Sequence, residues 1–280
     1  MPADDNPVPA GQARWVIWRF SRDLFVLIAG LTVCGAMLTR LSPLRGIVEA
    51  DEAAGEWLVA RRADQATDWA RTVSNLGDTL PVVVLLAFVT AVVAATRRWR
   101  ATLFVPLAML AEISTFLAVN HIVRRPRPDL DKIGPIPGTF SFPSGHIAAT
   151  FVCWVGTALV LYVYGHRRAA AIVAIPGMVL AAAIGWARVY LGMHHVLDVV
   201  FGLLMGVGAL WIAVDALDVS SFFSGDMGDE RRQERAAAEP LAHDRSDGGD
   251  GGISHPSATG STLQRGGDPR TAEDHRFTSA

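Results

Sequence analysis

Five stretches of this chain stay apolar over roughly the 20 residues that a helix needs to cross a bilayer, and nothing else in the sequence limits the fold so sharply. They lie at about 80–96 ("LPVVVLLAFVTAVVAAT"), 101–123, 145–164, 169–191 and 195–217. A shorter run at about 24–39 follows Arg14, Arg19 and Arg22. Read as an uncleaved first span rather than a signal peptide, it makes six and puts both ends of the chain on one side. In hydrocarbon every backbone N–H and C=O must be satisfied within the protein, and runs this long do so as helices. The expected fold is therefore all-α, a six-transmembrane-helix bundle.

Composition agrees once it is divided along the chain. Of 280 residues 51% are hydrophobic and 19% charged, against about 25% charged in soluble domains. The apolar part ends near residue 218. Residues 219–280, rich in Gly, Ser, Asp and Arg, read as a disordered tail. The expected division is an N-terminal segment at 1–20, a membrane domain at 21–218 and that tail. Cys34 and Cys153 both lie inside apolar runs and read as small core residues, not as a disulfide or metal pair. The net charge of −2 comes with no basic stripe of the kind that binds nucleic acid.

Loop charge gives an orientation. The three arginines before the first span, "RRWR" at 97–100 and "HRR" at 166–168 all fall on one side, which should be cytoplasmic. The 40–78 segment on the other side carries five arginines against seven acidic residues, and its apolar spacing suggests short interfacial helices, for instance around 54–73. One stretch breaks the pattern. "HIVRRPRPDL" at 121–130 puts Arg124, Arg125 and Arg127 on the outer side.

The same topology brings more ionisable groups to that face: "FPSGH" at 142–146 opens the fourth span, and "ARVYLGMHHVLD" at 187–198 joins the fifth to the sixth. Ionisable residues in or beside spans are costly and point to function. Ser144 and Gly145 stand at a helix start, where free N–H groups and the helix dipole favour an anion. Arg127 and Arg188 can grip further oxygens through their forked donors. His194 and Asp198, four apart, would share one helix face, the carboxylate fixing the tautomer and freeing the other nitrogen to attack. Each piece also has a plainer use: arginines at lipid headgroups, an ordinary helix start, a buried polar contact. His195 should point elsewhere on the helix and sit at the interface; His121 and His166 should be surface groups. Together the pieces describe phosphoryl transfer, with His194 attacking phosphorus and His146 protonating the leaving oxygen and later activating water.

This constellation resembles the type-2 phosphatidic acid phosphatase family, integral-membrane relatives of the vanadium haloperoxidases, whose pattern is Lys-x6-Arg-Pro, Pro-Ser-Gly-His and Ser-Arg-x5-His-x3-Asp. The second block is complete at Pro143–His146. The third matches at Arg188, His194 and Asp198, and the first at Arg127-Pro128. The resemblance covers about residues 20–217. It implies a membrane lipid phosphatase working from the outer face through a phosphohistidine on His194, oriented by Asp198, with His146 as acid and base. Arg127, Ser144, Gly145 and Arg188 would hold the phosphate, and no metal or other cofactor is required. The implied substrates are lipid phosphates such as phosphatidate, phosphatidylglycerol phosphate and polyprenyl pyrophosphates, reached among the surrounding membrane lipids. Two positions depart: Asn120 stands where the family has lysine, and Ala187 where it has serine. Asn120 itself, or Arg124 or Arg125 nearby, is the candidate to complete the phosphate cradle. Other readings of the same residues are a lipid phosphotransferase, a phospholipid-binding protein that keeps the fold, and a haem protein with paired axial histidines. No oligomeric state follows from the sequence.

Overall fold

The computed structural model of the protein describes residues 10–218, with side chains from residue 13. The expected tail at 219–280 lies outside the described residues. Among the described residues there are helices and no strands, in the order α1 (Ala10–Arg40), a 3-10 turn (Ser42–Leu44), α2 (Arg45–Val59), α3 (Asp64–Leu76), α4 (Thr79–Ala94), α5 (Trp99–Val123), α6 (Gly145–Val163), α7 (Arg167–Tyr190) and α8 (Val196–Ala216).

Helices α1, α5, α6, α7 and α8 are each long and apolar enough to cross a membrane. The sixth candidate is a bent pair, α3 with α4, which turns by 45° at the break between Leu76 and Thr79. Asp78 at that break has extended backbone (φ −68°, ψ 161°), and α4 begins at the next residue. The run expected at 80–96 is thus a helix of 16 residues that reaches full span length only with its amphipathic neighbour. The first span differs the other way. Ala10–Arg40 is far longer than the apolar run at 24–39, because the helix continues through Arg14, Arg19 and Arg22.

The outward faces are apolar: Phe25, Leu80 and Ile172 are each more than 70% exposed, as suits side chains that meet lipid instead of water. The chain is an integral, multi-pass membrane protein. Inside, α6 packs against α5, α7 and α8, and small residues let the backbones approach. At Gly202 of α8 an added Cβ would collide with the Ser144 carbonyl, so the start of α6 rests directly on α8.

At one end of the bundle the basic clusters gather with aromatic rings. The Arg98 guanidinium lies 4.1 Å from the centre of the Tyr164 ring, and Arg19 lies 3.5 Å from that of Trp15 while donating to the Asp215 carbonyl at 2.7 Å. The other end carries α2, α3 and the 124–144 loop. Arg62 staples this end, donating to the carbonyls of Tyr190 (2.9 Å) and Asp131 (2.8 Å). The Tyr190 hydroxyl in turn accepts the Ala63 N–H at 2.9 Å. The short helices expected in 40–78 are therefore α2 and α3, and α3 buries Ala70 and Ser74 at the bundle.

Candidate active site

Ser144 stands at the residue before α6, so Gly145 and His146 fall in its first turn. Across from them the chain leaves α7 at Tyr190 and makes a tight turn in which the N–H groups of Met193 (2.9 Å) and His194 (3.3 Å) both donate to the Arg188 carbonyl. That turn, with Gly192 at φ +74°, folds His194 back beside Arg188. The Ser144 N–H donates to the Asp198 carbonyl at 2.9 Å, which joins the two blocks through backbone.

His194 is buried, and its Nδ1 lies 2.8 Å from the Ser141 carbonyl oxygen. A carbonyl can only accept, so Nδ1 carries the proton and Nε2 carries the lone pair. Burial holds this imidazole below its ordinary pKa, with the charges of Arg188 and Arg127 adding to the shift and Asp198 opposing it. Arg127, outside the spans, is likewise lowered by burial, with Asp198 pulling the other way.

The expectation that His194 and Asp198 share a helix face needs correction. Helix α8 begins only at Val196, so His194 precedes it and the i,i+4 argument does not apply. Nδ1 of His194 stands 3.7 Å from Asp198 Oδ2, beyond hydrogen-bond reach. Ser141 spans the gap, its hydroxyl donating to Asp198 Oδ2 while its carbonyl accepts from His194. His195 also differs from expectation. It is buried, not interfacial, and both its backbone N–H (2.9 Å) and its ring Nδ1 (3.1 Å) meet Asp198 Oδ2. Asp198 is thus the third residue of α8 capping the N-terminus of its own helix.

Arg125 is not at hand for a phosphate. Its guanidinium is buried between Asp198 Oδ1 (2.7 Å) and Asp51 Oδ2 (2.8 Å), and Asp51 Oδ1 accepts the Leu197 N–H at 3.0 Å. Asn120 is also engaged. Its Nδ2 donates to the carbonyls of Phe140 and Phe142 and its Oδ1 accepts the Phe140 N–H, each at 3.0 Å. Both side chains hold the loop that carries Ser141, and the two candidate phosphate contacts are better described as its supports. Arg124 is a left-handed cap on α5 (φ 54°) and bonds the His121 carbonyl at 2.9 Å.

Arg188 behaves differently. It is 6% exposed, and its Nη1 meets Ser74 Oγ at 3.2 Å, yet Nε and Nη2 are buried without a hydrogen-bond partner, as is Oγ of Ser144. Arg127 spreads its donors over the carbonyls of Met193 (2.6 Å) and Thr139 (3.2 Å) and over the Thr139 hydroxyl (3.2 Å). His146 Nε2 lies 3.0 Å from Asp78 Oδ1, a partner from the break before α4. Arg127, Gly145, His146 and His194 line one cavity of about 310 Å³, which continues between α4, α5 and α6 past Val82, Leu86, Met109 and Phe116. Among the described residues no three His, Cys, Asp or Glu side chains converge to hold a metal ion.

Sequence reasoning missed Asp51, Ser74, Asp78 and Ser141. Ser141 alone left a signal, standing two residues before the Pro-Ser-Gly-His block; the others lie in the amphipathic 40–78 segment, which has no motif.

Known proteins are similar to this chain. Residues 101–220 match the family profile described as the PAP2 superfamily. The Escherichia coli (strain K12) protein named "Putative undecaprenyl-diphosphatase YbjG" is 31% identical over 140 residues, which are 46% of this chain and 64% of that protein, so the match spans just under two thirds of the relative's length. Among solved structures, the transmembrane PAP2 type phosphatidylglycerolphosphate phosphatase of Bacillus subtilis superposes with a TM-score of 0.57 at 25% identity, over 68% of this chain and 92% of that one. Aquifex aeolicus LpxE gives a TM-score of 0.46 at 24% identity, over 58% and 93%. With its sequence blocks in register, a helical bundle of similar build and a family profile matched across 101–220, the chain is similar to the PAP2 superfamily.

Proposed function

We propose that this protein is a membrane lipid phosphatase that cleaves a phosphate monoester or a diphosphate through a phosphohistidine on His194. One observation carries the reading: Nε and Nη2 of Arg188 and Oγ of Ser144 are buried with nothing to bond, while the His194 N–H meets the Arg188 carbonyl and the Ser144 N–H the Asp198 carbonyl. Buried donors left unpaired are costly, and a phosphoryl group supplies the acceptors they lack.

In the first step Nε2 of His194 attacks phosphorus and the bond from phosphorus to the lipid oxygen breaks. His146 gives that oxygen its proton, and Asp78, on the same ring, steadies the imidazole as it changes charge. In the second step neutral His146 takes a proton from water, the water oxygen bonds to phosphorus and the phosphorus–nitrogen bond breaks. Inorganic phosphate leaves. Arg188, Arg127, Ser144 and the N–H groups at the start of α6 offset charge on the phosphoryl oxygens, where fixed donors in a dry site act most strongly. Asp198 works at one remove, steadying the Ser141 carbonyl that holds the tautomer of His194.

The substrate reading draws on the relatives, whose names mention undecaprenyl diphosphate and phosphatidylglycerol phosphate, and on the apolar channel that leads from the site. Sidedness follows the charges. Arg19, Arg98 and Arg167 stand with aromatic rings at the end away from the site, so by the positive-inside rule that end is cytoplasmic, both chain ends lie there and the site faces outward. Residues 21–218 form the unit that carries the activity.

The test is phosphate release by purified protein in detergent with a chelator present, from phosphatidate, phosphatidylglycerol phosphate, polyprenyl phosphate and polyprenyl diphosphate. Release that disappears in His194→Ala supports the reading. A folded protein that releases phosphate from none of them refutes it.

A further inference from the structure

Glu112 lies in the middle of α5, eight residues and about 12 Å of helix before Asn120. It is 3% exposed, and among the described residues no hydrogen bond or ion pair engages its carboxyl. It nevertheless lines the cavity that holds His194, His146 and Arg127. Its neighbours on that wall are Val82, Leu86, Met109, Ile113, Phe116 and Ala149, all apolar. A carboxyl within a span with no protein partner costs stability, and the catalytic steps above give it no task.

We propose that Glu112 is a second polar subsite of the lipid channel, which hydrogen-bonds the oxygen-bearing linker between phosphate and tails and so selects glycerolipid phosphates over polyprenyl phosphates. The proposal rests on the lipid phosphatase reading and deepens it. With phosphate at the polar end of the cavity, beside His194, His146 and Arg127, the rest of the lipid must run along its apolar part, past Phe116 and toward Glu112. A glycerolipid brings ester carbonyls, or a free glycerol hydroxyl, within a few bonds of its phosphate, and a carboxyl can bond either. A polyprenyl chain brings only carbon to that level and would cover the carboxyl without satisfying it. Sites built to bond a polar group discriminate strongly against analogues that lack it, because their own buried group is then left bare.

The experiment compares full-length wild type, Glu112→Leu and Glu112→Gln on phosphatidate and on a polyprenyl monophosphate. Thermal shifts are measured in parallel with hydrolysis-resistant phosphonate analogues of the same two lipids. In Glu112→Leu, kcat/KM on phosphatidate should fall tenfold or more while the polyprenyl rate holds or rises. Glu112→Gln, which keeps a donor and an acceptor, should stay near wild type on phosphatidate. The ligand-free Tm of Glu112→Leu should equal or exceed that of wild type, and the glycerolipid phosphonate should lose its advantage in that variant alone. The same substrate ratio in wild type and Glu112→Leu, with normal release, overturns the subsite and leaves the phosphatase reading standing. If wild type releases no phosphate but the phosphonates still discriminate through Glu112, the phosphatase reading fails and the subsite stands. Loss of both signals overturns both.

Discussion

Asp198 and His194 are joined through a third residue: 3.7 Å separates the carboxylate from Nδ1, and Ser141 bonds both. Ser141→Ala removes the hydroxyl but keeps the carbonyl that fixes His194. One buried carboxylate oxygen then loses a donor, a cost of about 1–3 kcal/mol, or at most roughly 5- to 160-fold in kcat/KM. Steady-state rates of phosphate release check this. A wild-type rate in Ser141→Ala would mean that Asp198 does not act through Ser141.

Asp51 lies in α2, outside the three sequence blocks, and yet anchors Arg125 and the start of α8. Breaking a buried ion pair by removing one partner costs about 3–5 kcal/mol. Asp51→Ala should fall toward the low end, since Arg125 keeps Asp198. Its thermal midpoint in detergent should drop and its activity with it. Added salt should change little in wild type, because the pair is shielded from solvent.

Restoring the family's lysine should harm this protein. Asn120 makes three hydrogen bonds to the backbone of Phe140 and Phe142, and a lysine has no acceptor for the Phe140 N–H. Asn120→Lys should therefore lower both Tm and phosphate release, by an amount set by three bonds worth about 0.5–1.5 kcal/mol each. Higher activity with unchanged stability would show that the site lacks charge rather than support.

The pH dependence has a definite sign. Burial keeps the folded His194 pKa below its ordinary value of 6.5, so Nε2 keeps its lone pair in more acidic solution than a free histidine would. The acid limb of kcat/KM should have its midpoint below 6.5. Stability moves with it. As pH falls through 6.5 the unfolded chain binds the proton first, so this site's contribution is whole above that pH and is lost as pH falls toward the folded pKa. A Tm-against-pH series should be flatter in His194→Ala, and an acid limb centred above 6.5 would contradict the assignment.

How much of this was legible in the sequence follows from how each residue is held. Arg127, Ser144, Gly145, His146, Arg188 and His194 sit in short blocks whose types and spacing carry their own chemistry, and every apolar run but the first gave its helix to within a few residues. The supports are tertiary: Arg125 meets Asp51 across 74 residues, and His146 meets Asp78 across 68. No local pattern records such pairs. His195 was misread for a different reason. Its expected direction assumed a helix already running at 194, and a helix that starts at Val196 changes the phase of everything before it. Glu112 was passed over because one carboxyl in an apolar run shows neither its burial nor its cavity.

The central claim is that phosphorus passes through His194. The most direct measurement mixes purified protein with a lipid substrate carrying labelled phosphate, quenches within the first turnovers under alkaline conditions that preserve phosphohistidine, and maps the label by peptide. The account predicts an acid-labile label on the peptide containing His194 that is absent in His194→Ala. Sustained phosphate release with no labelled protein, or with the label unchanged in His194→Ala, would contradict it.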